Sequence, residues 1–295
     1  MPDAPTRTAL VFGASGQIGE ALLARLAGAG WQVFAVSRLP RTPAGGVTWL
    51  TGEFANVGGL PEAVDVVFST GPLDGFAQWY ARGQVATRRV VAFGSTSLDT
   101  KQASADAYER DIVARLQAAE RLVFDTASAN GAAATVLRPT LVYGAGRDQT
   151  LARIAAMGRR MGFFALPRGA NGKRQPVHVD DLAHAALAVV DAPATDGKAY
   201  ALPGGETLAY RDMVARTLAA LDPPAKLWEV PMPVFRTALW LARKAGMMRG
   251  LTDDAVARMR EDLVFDASPA WRDFGYAPRP FEPDAKAVRR QCVGG

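Results

Sequence analysis

The sequence predicts an α/β protein built on a doubly wound parallel sheet. Two observations carry that prediction. A glycine-rich turn joins an apolar strand to a helix near the start, and short apolar strands go on alternating with helical stretches through the first half of the chain.

The turn is Gly13-Ala14-Ser15-Gly16-Gln17-Ile18-Gly19. Ala9-Leu10-Val11-Phe12 before it is an unbroken apolar run, as a strand buried on both faces requires. From Glu20 to Gly30 apolar residues recur at helical spacing and stop at glycines, and Gln32-Val-Phe-Ala-Val36 supplies a second strand. The three pieces form a βαβ unit, and in that setting the glycines have separate duties. Gly13 permits the tight turn, Gly16 lets the backbone approach a diphosphate, and Gly19 lets the helix lie against the strand. The helix amino terminus, with Ser15, Gln17 and Ile18 beside the glycines, offers free N–H groups and a partial positive charge to phosphates.

The second strand ends in Ser37-Arg38, with Arg41 close behind. In a Rossmann unit this point meets the adenosine ribose. A carboxylate there accepts from a ribose 2′-hydroxyl, whereas a hydroxyl and arginines pair with a 2′-phosphate. NADP(H) is therefore expected in preference to NAD(H). Val47–Leu50 reads as a third strand, followed by Gly52-Glu53-Phe54. Val64–Phe68 reads as a fourth, followed by Ser69-Thr70-Gly71, and Arg89–Phe93 as a fifth, followed by Gly94-Ser95-Thr96-Ser97. A helical pattern covers about 105–129, and Ala133–Leu137 is a sixth strand, running into Arg138-Pro139-Thr140-Leu141. Ligands of such a sheet sit at the carboxyl ends of its strands. That rule puts Glu53, Phe54, Ser69, Thr70, Gly71, Pro139, Thr140 and Leu141 beside the cofactor.

Composition excludes several classes. With 49% apolar and 21% charged residues in 295, the chain has the makings of a folded core, and disorder is not indicated. The net charge of +5 is scattered, with no basic run beyond pairs such as Arg88-Arg89 and Arg159-Arg160, so no nucleic acid partner is expected. Cys292 is the single cysteine, which excludes an intrachain disulfide and fits a reducing compartment. The opening residues lack the pattern of a signal peptide, and no stretch approaches the ~18 apolar residues of a membrane span. A cytoplasmic location is the expectation. No His, Cys and Asp spacing suggests a metal site.

Beyond the glycine turn, five segments follow in a recognisable order. They are Phe93-Gly-Ser-Thr-Ser97, Leu137-Arg-Pro-Thr-Leu-Val-Tyr-Gly144, Gln175-Pro-Val-His-Val-Asp-Asp-Leu-Ala183, Gly204-Gly-Glu-Thr-Leu-Ala-Tyr-Arg-Asp-Met213 and Phe274-Gly-Tyr-Ala-Pro-Arg-Pro-Phe281. Together they resemble the extended short-chain dehydrogenase/reductases, also called the NAD-dependent epimerase/dehydratase family. The resemblance implies a Rossmann domain over 1–165, with 176–200 returning to it, and a smaller α/β lobe, mainly 166–295, that binds substrate. It also implies that the residues after Pro139 lie beside the nicotinamide.

One departure matters. Members of the family usually carry Tyr-x-x-x-Lys on the helix after the fifth strand, with a glutamate eight residues beyond the Tyr. Glu120 resembles that glutamate, which puts Ile112 and Leu116 where Tyr and Lys would stand. Neither side chain transfers a proton. Three readings follow. The chain is an oxidoreductase that moves hydride to or from a carbonyl or alcohol carbon, or a non-catalytic NADPH-binding assembly, scaffold or redox-sensing protein. A nucleotide-sugar epimerase or dehydratase comes third and suffers most from the missing pair.

The remaining acid–base candidates are Thr96, which resembles the family's hydroxyl on the reacting oxygen, with Ser95 and Ser97 beside it. Lys101, in the loop beyond Asp99, and Tyr143 complete the set. His178 and His184 read as structural. The segment from Asp148 to Gln175 mixes arginines with Met157, Met161, Phe163, Phe164 and Leu166, suited either to a substrate with an anionic head and an apolar body or to ordinary core packing. Helices are expected at about 210–221, 233–246 and 252–263. The middle one is strongly apolar yet carries Arg236, Arg243 and Lys244. It could line a pocket, form the seam of a homodimer, rest on a membrane surface or pack on the Rossmann domain. Monomer and homodimer both stay open.

Overall fold

The computed structural model describes residues 6–43, 45–100, 107–148, 150–244 and 253–283. They begin with β1 (Thr8–Phe12), α1 (Gln17–Gly28), β2 (Gln32–Ser37), β3 (Val47–Glu53), β4 (Asn56–Val57), β5 (Ala63–Ser69), α2 (Leu73–Tyr80) and β6 (Ala86–Phe93). There follow α3 (Ser97–Thr100), α4 (Ala107–Ala129), β7 (Ala133–Pro139), β8 (Val142–Tyr143), α5 (Leu151–Met161), β9 (Phe163–Pro167), β10 (Lys173–Arg174) and β11 (Val177–His178). The chain ends with α6 (Val179–Ala188), β12 (Lys198–Leu202), β13 (Leu208–Ala209), α7 (Tyr210–Ala219), β14 (Lys226–Val230), α8 (Met232–Lys244), α9 (Asp253–Arg258) and α10 (Ser268–Phe274).

Two compact units result. The first holds residues 1–140, 179–202 and 266–277, the second 141–178, 203–265 and 278–295. The expected boundary near 165 therefore moves back to Thr140, and a third segment, around α10, returns to the first unit. The physical reason lies in pairing. β7 ends at Pro139, and β8 joins β11 instead of the main sheet.

The first unit is an eight-stranded sheet in the order β12-β7-β6-β5-β1-β2-β3-β4. Every pairing is parallel except the β3–β4 hairpin. Strand order turns back between β1 and β5, which in a doubly wound sheet opens a crevice at the strands' carboxyl ends. α1 packs with α6, and α2 with α4. Ala9, Leu10 and Val11 are fully buried, which explains their unbroken apolar run. Below them Phe12 stacks on Phe54 at 5.0 Å between ring centres and tilts against Trp79 at 4.3 Å.

A charge is also buried here. Arg89 donates to the Thr135 hydroxyl at 2.8 Å, to the Val189 carbonyl at 2.6 Å and to the Thr195 hydroxyl. Burial pushes its guanidinium below the usual arginine range. Along the sheet edge, Asp273 of α10 accepts from Tyr200 (2.6 Å) and Lys198 (2.9 Å) of β12 and so ties the returning segment down.

The second unit packs α5, α7 and β9 around Leu151, Ile154, Leu166, Met213, Leu218 and Phe281. Asp148 caps α5, its Oδ1 accepting from the amides of Thr150 (3.1 Å), Leu151 (2.5 Å) and Ala152 (3.3 Å). Arg174 donates to the carbonyls of Lys173, Glu261 and Arg258, which fastens the end of α9. The segment from Asp148 to Gln175 thus follows its core-packing reading. Ile154, Phe164 and Leu166 are buried, while Arg153, Arg159 and Arg160 are exposed. The expected helix over 252–263 is shorter, because after Arg258 the chain turns to offer its carbonyls to Arg174.

Candidate functional site

The glycine turn takes the form its spacing requires. Gly13 has φ +69°, and a Cβ there would come within 2.6 Å of the Gly71 nitrogen. At Gly19 a Cβ would lie 2.2 Å from the Gly13 carbonyl oxygen. Gly16 differs from both. It is exposed, its φ is −80°, and a Cβ there would meet only the Gly13 oxygen, at 3.1 Å. Internal packing therefore demands glycine at 13 and 19 far more than at 16.

Gly16 is also the N-cap of α1, and as a glycine it brings no capping side chain to that terminus. Next to it the Gln17 Oε1 atom is buried and accepts no hydrogen bond. Ser15 and Ile18 flank it, Ile18 buried under the helix.

The other predicted residues sort by exposure. Ser37 is buried, and its Oγ accepts from the Leu39 amide at 3.3 Å, so it shapes the turn. Arg38 is exposed just beyond it. Arg41 sits over the Trp49 ring at 5.1 Å, with Glu20 of α1 3.7 Å away. Glu53 is exposed in the β3–β4 hairpin. Phe54 turns inward onto Phe12, and its ring fills the space that side chains at Gly71 and Gly75 would need, so it reads as packing. Thr70 donates to the Gly13 carbonyl at 2.9 Å and locks the turn to the end of β5. Ser69 is 1% exposed, and its hydroxyl is left without a partner.

At the ends of β6 and β7, Thr96 is buried and its hydroxyl donates to the Pro139 carbonyl at 3.1 Å. Its proton is therefore occupied in joining two strand ends. Ser95 and Ser97 are half-buried, with Ser95 Oγ donating to Ser97 Oγ at 3.0 Å. Thr140 continues from Pro139, its amide bonded to the Leu202 carbonyl. Behind these ends lies a contact that residue spacing does not announce. Arg138 grips Glu120 through Nε at 2.8 Å and through Nη2, with Glu120 5% exposed. Lys101 lies outside the described residues.

In the second unit Leu141 is half-buried. Tyr143 is 1% exposed, and its hydroxyl donates to the Pro280 carbonyl and accepts from the Glu282 amide, each at 3.3 Å. It is an anchor for the backbone and not an accessible proton donor, a correction to its place among the acid–base candidates. His178 lies edge-on to Tyr143 and covers Gly144, where a Cβ would sit 2.4 Å from Nε2. It keeps its structural reading. Among the described residues no group of three His, Cys, Asp or Glu is placed to hold a metal ion.

With the fold and the turn described, comparison with known proteins shows what the chain is similar to. Residues 113–202 match the model of the NAD dependent epimerase/dehydratase family. The 2-alkyl-3-oxoalkanoate reductase of Stenotrophomonas maltophilia is 29% identical over 92% of this chain and 94% of its own. The UDP-glucose 4-epimerase of Vibrio cholerae is 25% identical over 54% of this chain and 46% of its own. Among solved structures, the Bordetella bronchiseptica enzyme WbmF, in complex with NAD+ and UDP, superposes with a TM-score of 0.68 at 16% identity, covering 97% of this chain and 91% of that one. Such a likeness shows the α/β fold with its large parallel sheet.

Proposed function

We propose that the chain binds NADP(H), with NAD(H) as the weaker cofactor, and reduces a carbonyl on a small substrate with an apolar body. The α1 terminus carries this reading. Its N-cap is a glycine that brings no capping side chain, packing demands that glycine less than Gly13 or Gly19, and the buried Gln17 oxygen beside it has no donor. A diphosphate fits the first of these features, and a donor group on the bound molecule fits the last. Arg38, exposed at the end of β2, would hold a 2′-phosphate, with Arg41 farther along over Trp49.

When bound, the nicotinamide supplies or accepts a hydride. The chain's part is to hold the substrate oxygen. Ser97 suits that duty better than Thr96 or Ser95, whose protons go to the Pro139 carbonyl and to Ser97. The relative named as a 2-alkyl-3-oxoalkanoate reductase makes a 3-oxo acid with alkyl branches the first substrate to try.

Arg38→Asp is expected to weaken NADPH binding by about tenfold or more and to leave NADH within about twofold. Equal losses would remove the phosphate role. Turnover is tested by following NADPH oxidation with 3-oxo acids, ketones, aldehydes and quinones. Silence over the whole panel would favour the second reading, a protein that holds the cofactor without using it. Ile112 and Leu116, standing where the family's Tyr and Lys belong, support that alternative.

A further inference from the structure

α8 runs from Met232 to Lys244 with the sequence MPVFRTALWLARK. Its inner side is accounted for. Phe235 and Leu239, one turn apart, pack with Val256 of α9, and the helix rests on β9. The outer side is not. Val234 is 55%, Trp240 57% and Leu241 55% exposed, three of the nine large apolar side chains exposed among the described residues. Val234, Ala238 and Leu241 fall at i, i+4 and i+7 and so form one stripe. An apolar stripe on a helix already packed on its other side is a contact surface.

Charge decides what it contacts. The helix contains Arg236, Arg243 and Lys244 and no acidic residue. Lys244 lies 5.7 Å from the Trp240 ring, and Arg236 is exposed one turn before Trp240. Just ahead of the helix, Glu229 has Arg211 3.7 Å away. A second copy meeting this face across a two-fold axis would set cations against cations with no carboxylate on the helix to pair them. An anionic lipid surface answers both features. Its headgroups take the arginines and lysines, its acyl boundary takes the valine–leucine stripe, and the amphipathic indole of Trp240 sits at the level between. Among the described residues no helix is long and apolar enough to cross a membrane, so the contact is one of lying upon it.

We infer that α8 seats the protein on an anionic bilayer surface through Val234, Trp240 and Leu241, with Arg236 and Lys244 reading the lipid charge. The inference stands apart from the cofactor reading. Its test is co-sedimentation of the full chain with vesicles of phosphatidylcholine alone or mixed with phosphatidylglycerol. Binding is expected only to the mixed vesicles, falling as salt rises. Trp240→Ser with Leu241→Ser, and separately Arg236→Glu with Lys244→Glu, are each expected to weaken it by about tenfold or more. The same charge change placed at the exposed Arg88 and Arg121, neither of them on α8, is expected to leave it within about twofold. Three results would overturn the inference: no sedimentation with either vesicle, loss of binding in the Arg88 and Arg121 variant equal to that in the helix variant, or a dimer in ultracentrifugation that the Trp240 and Leu241 changes dissolve.

Discussion

Replacing Arg138 by Leu is expected to cost about 3–5 kcal/mol of stability in chemical denaturation, because it strands a buried carboxylate. Glu120 is 5% exposed and held from two sides by the Arg138 guanidinium, so losing that partner leaves its charge neither paired nor hydrated. Changing both residues to Leu is expected to recover most of the loss, since an apolar pair of similar volume has no charge to desolvate. A single variant that loses under about 1 kcal/mol would mean the pair behaves like an exposed salt bridge. The consequence reaches the site. Arg138 immediately precedes Pro139, whose carbonyl receives the Thr96 hydroxyl, so the pair braces the strand ends where the reacting group would rest.

Gly19→Ala is expected to lose on the order of 3 kcal/mol, an overpacking cost at the upper end of the usual range. The new methyl would lie 2.2 Å from a backbone carbonyl, and neither the turn nor the helix start can move without giving up the other. Gly28 in the same helix is the matched control. A Cβ there meets nothing within 4 Å, so Gly28→Ala is expected to be neutral or to stabilise by about 0.5–1 kcal/mol. If the two changes prove equal in cost, the contact of helix and turn does not explain the glycine pattern.

The first unit was legible in the sequence because its signals are local. Ala9–Phe12 announces a doubly buried strand, and the glycine spacing announces the turn, so a few adjacent residues determine each. What stayed hidden depends on distance along the chain. Glu120 resembles a family marker, but its partner lies 18 residues on. Arg174 gathers carbonyls from residues 84 and 87 positions away, and no pattern near it hints at this. α2 escaped because Leu73–Tyr80 is short, and its Phe76, Trp79 and Tyr80 suit a strand as well as a helix. Tyr143 shows the opposite error. Its motif suggests chemistry, and only burial with two backbone partners reveals its anchoring role.

On the proposed reading, the amino-terminal end of α1 receives a dinucleotide diphosphate. Titration calorimetry on cofactor-free protein tests it most directly, with NADPH and NADH run against the natural chain and against Gly16→Ala. NADPH is expected to bind the natural chain more tightly than NADH, and Gly16→Ala to lose about tenfold or more in affinity while melting within a few degrees of the parent. No uptake of either dinucleotide by the natural chain would contradict the account.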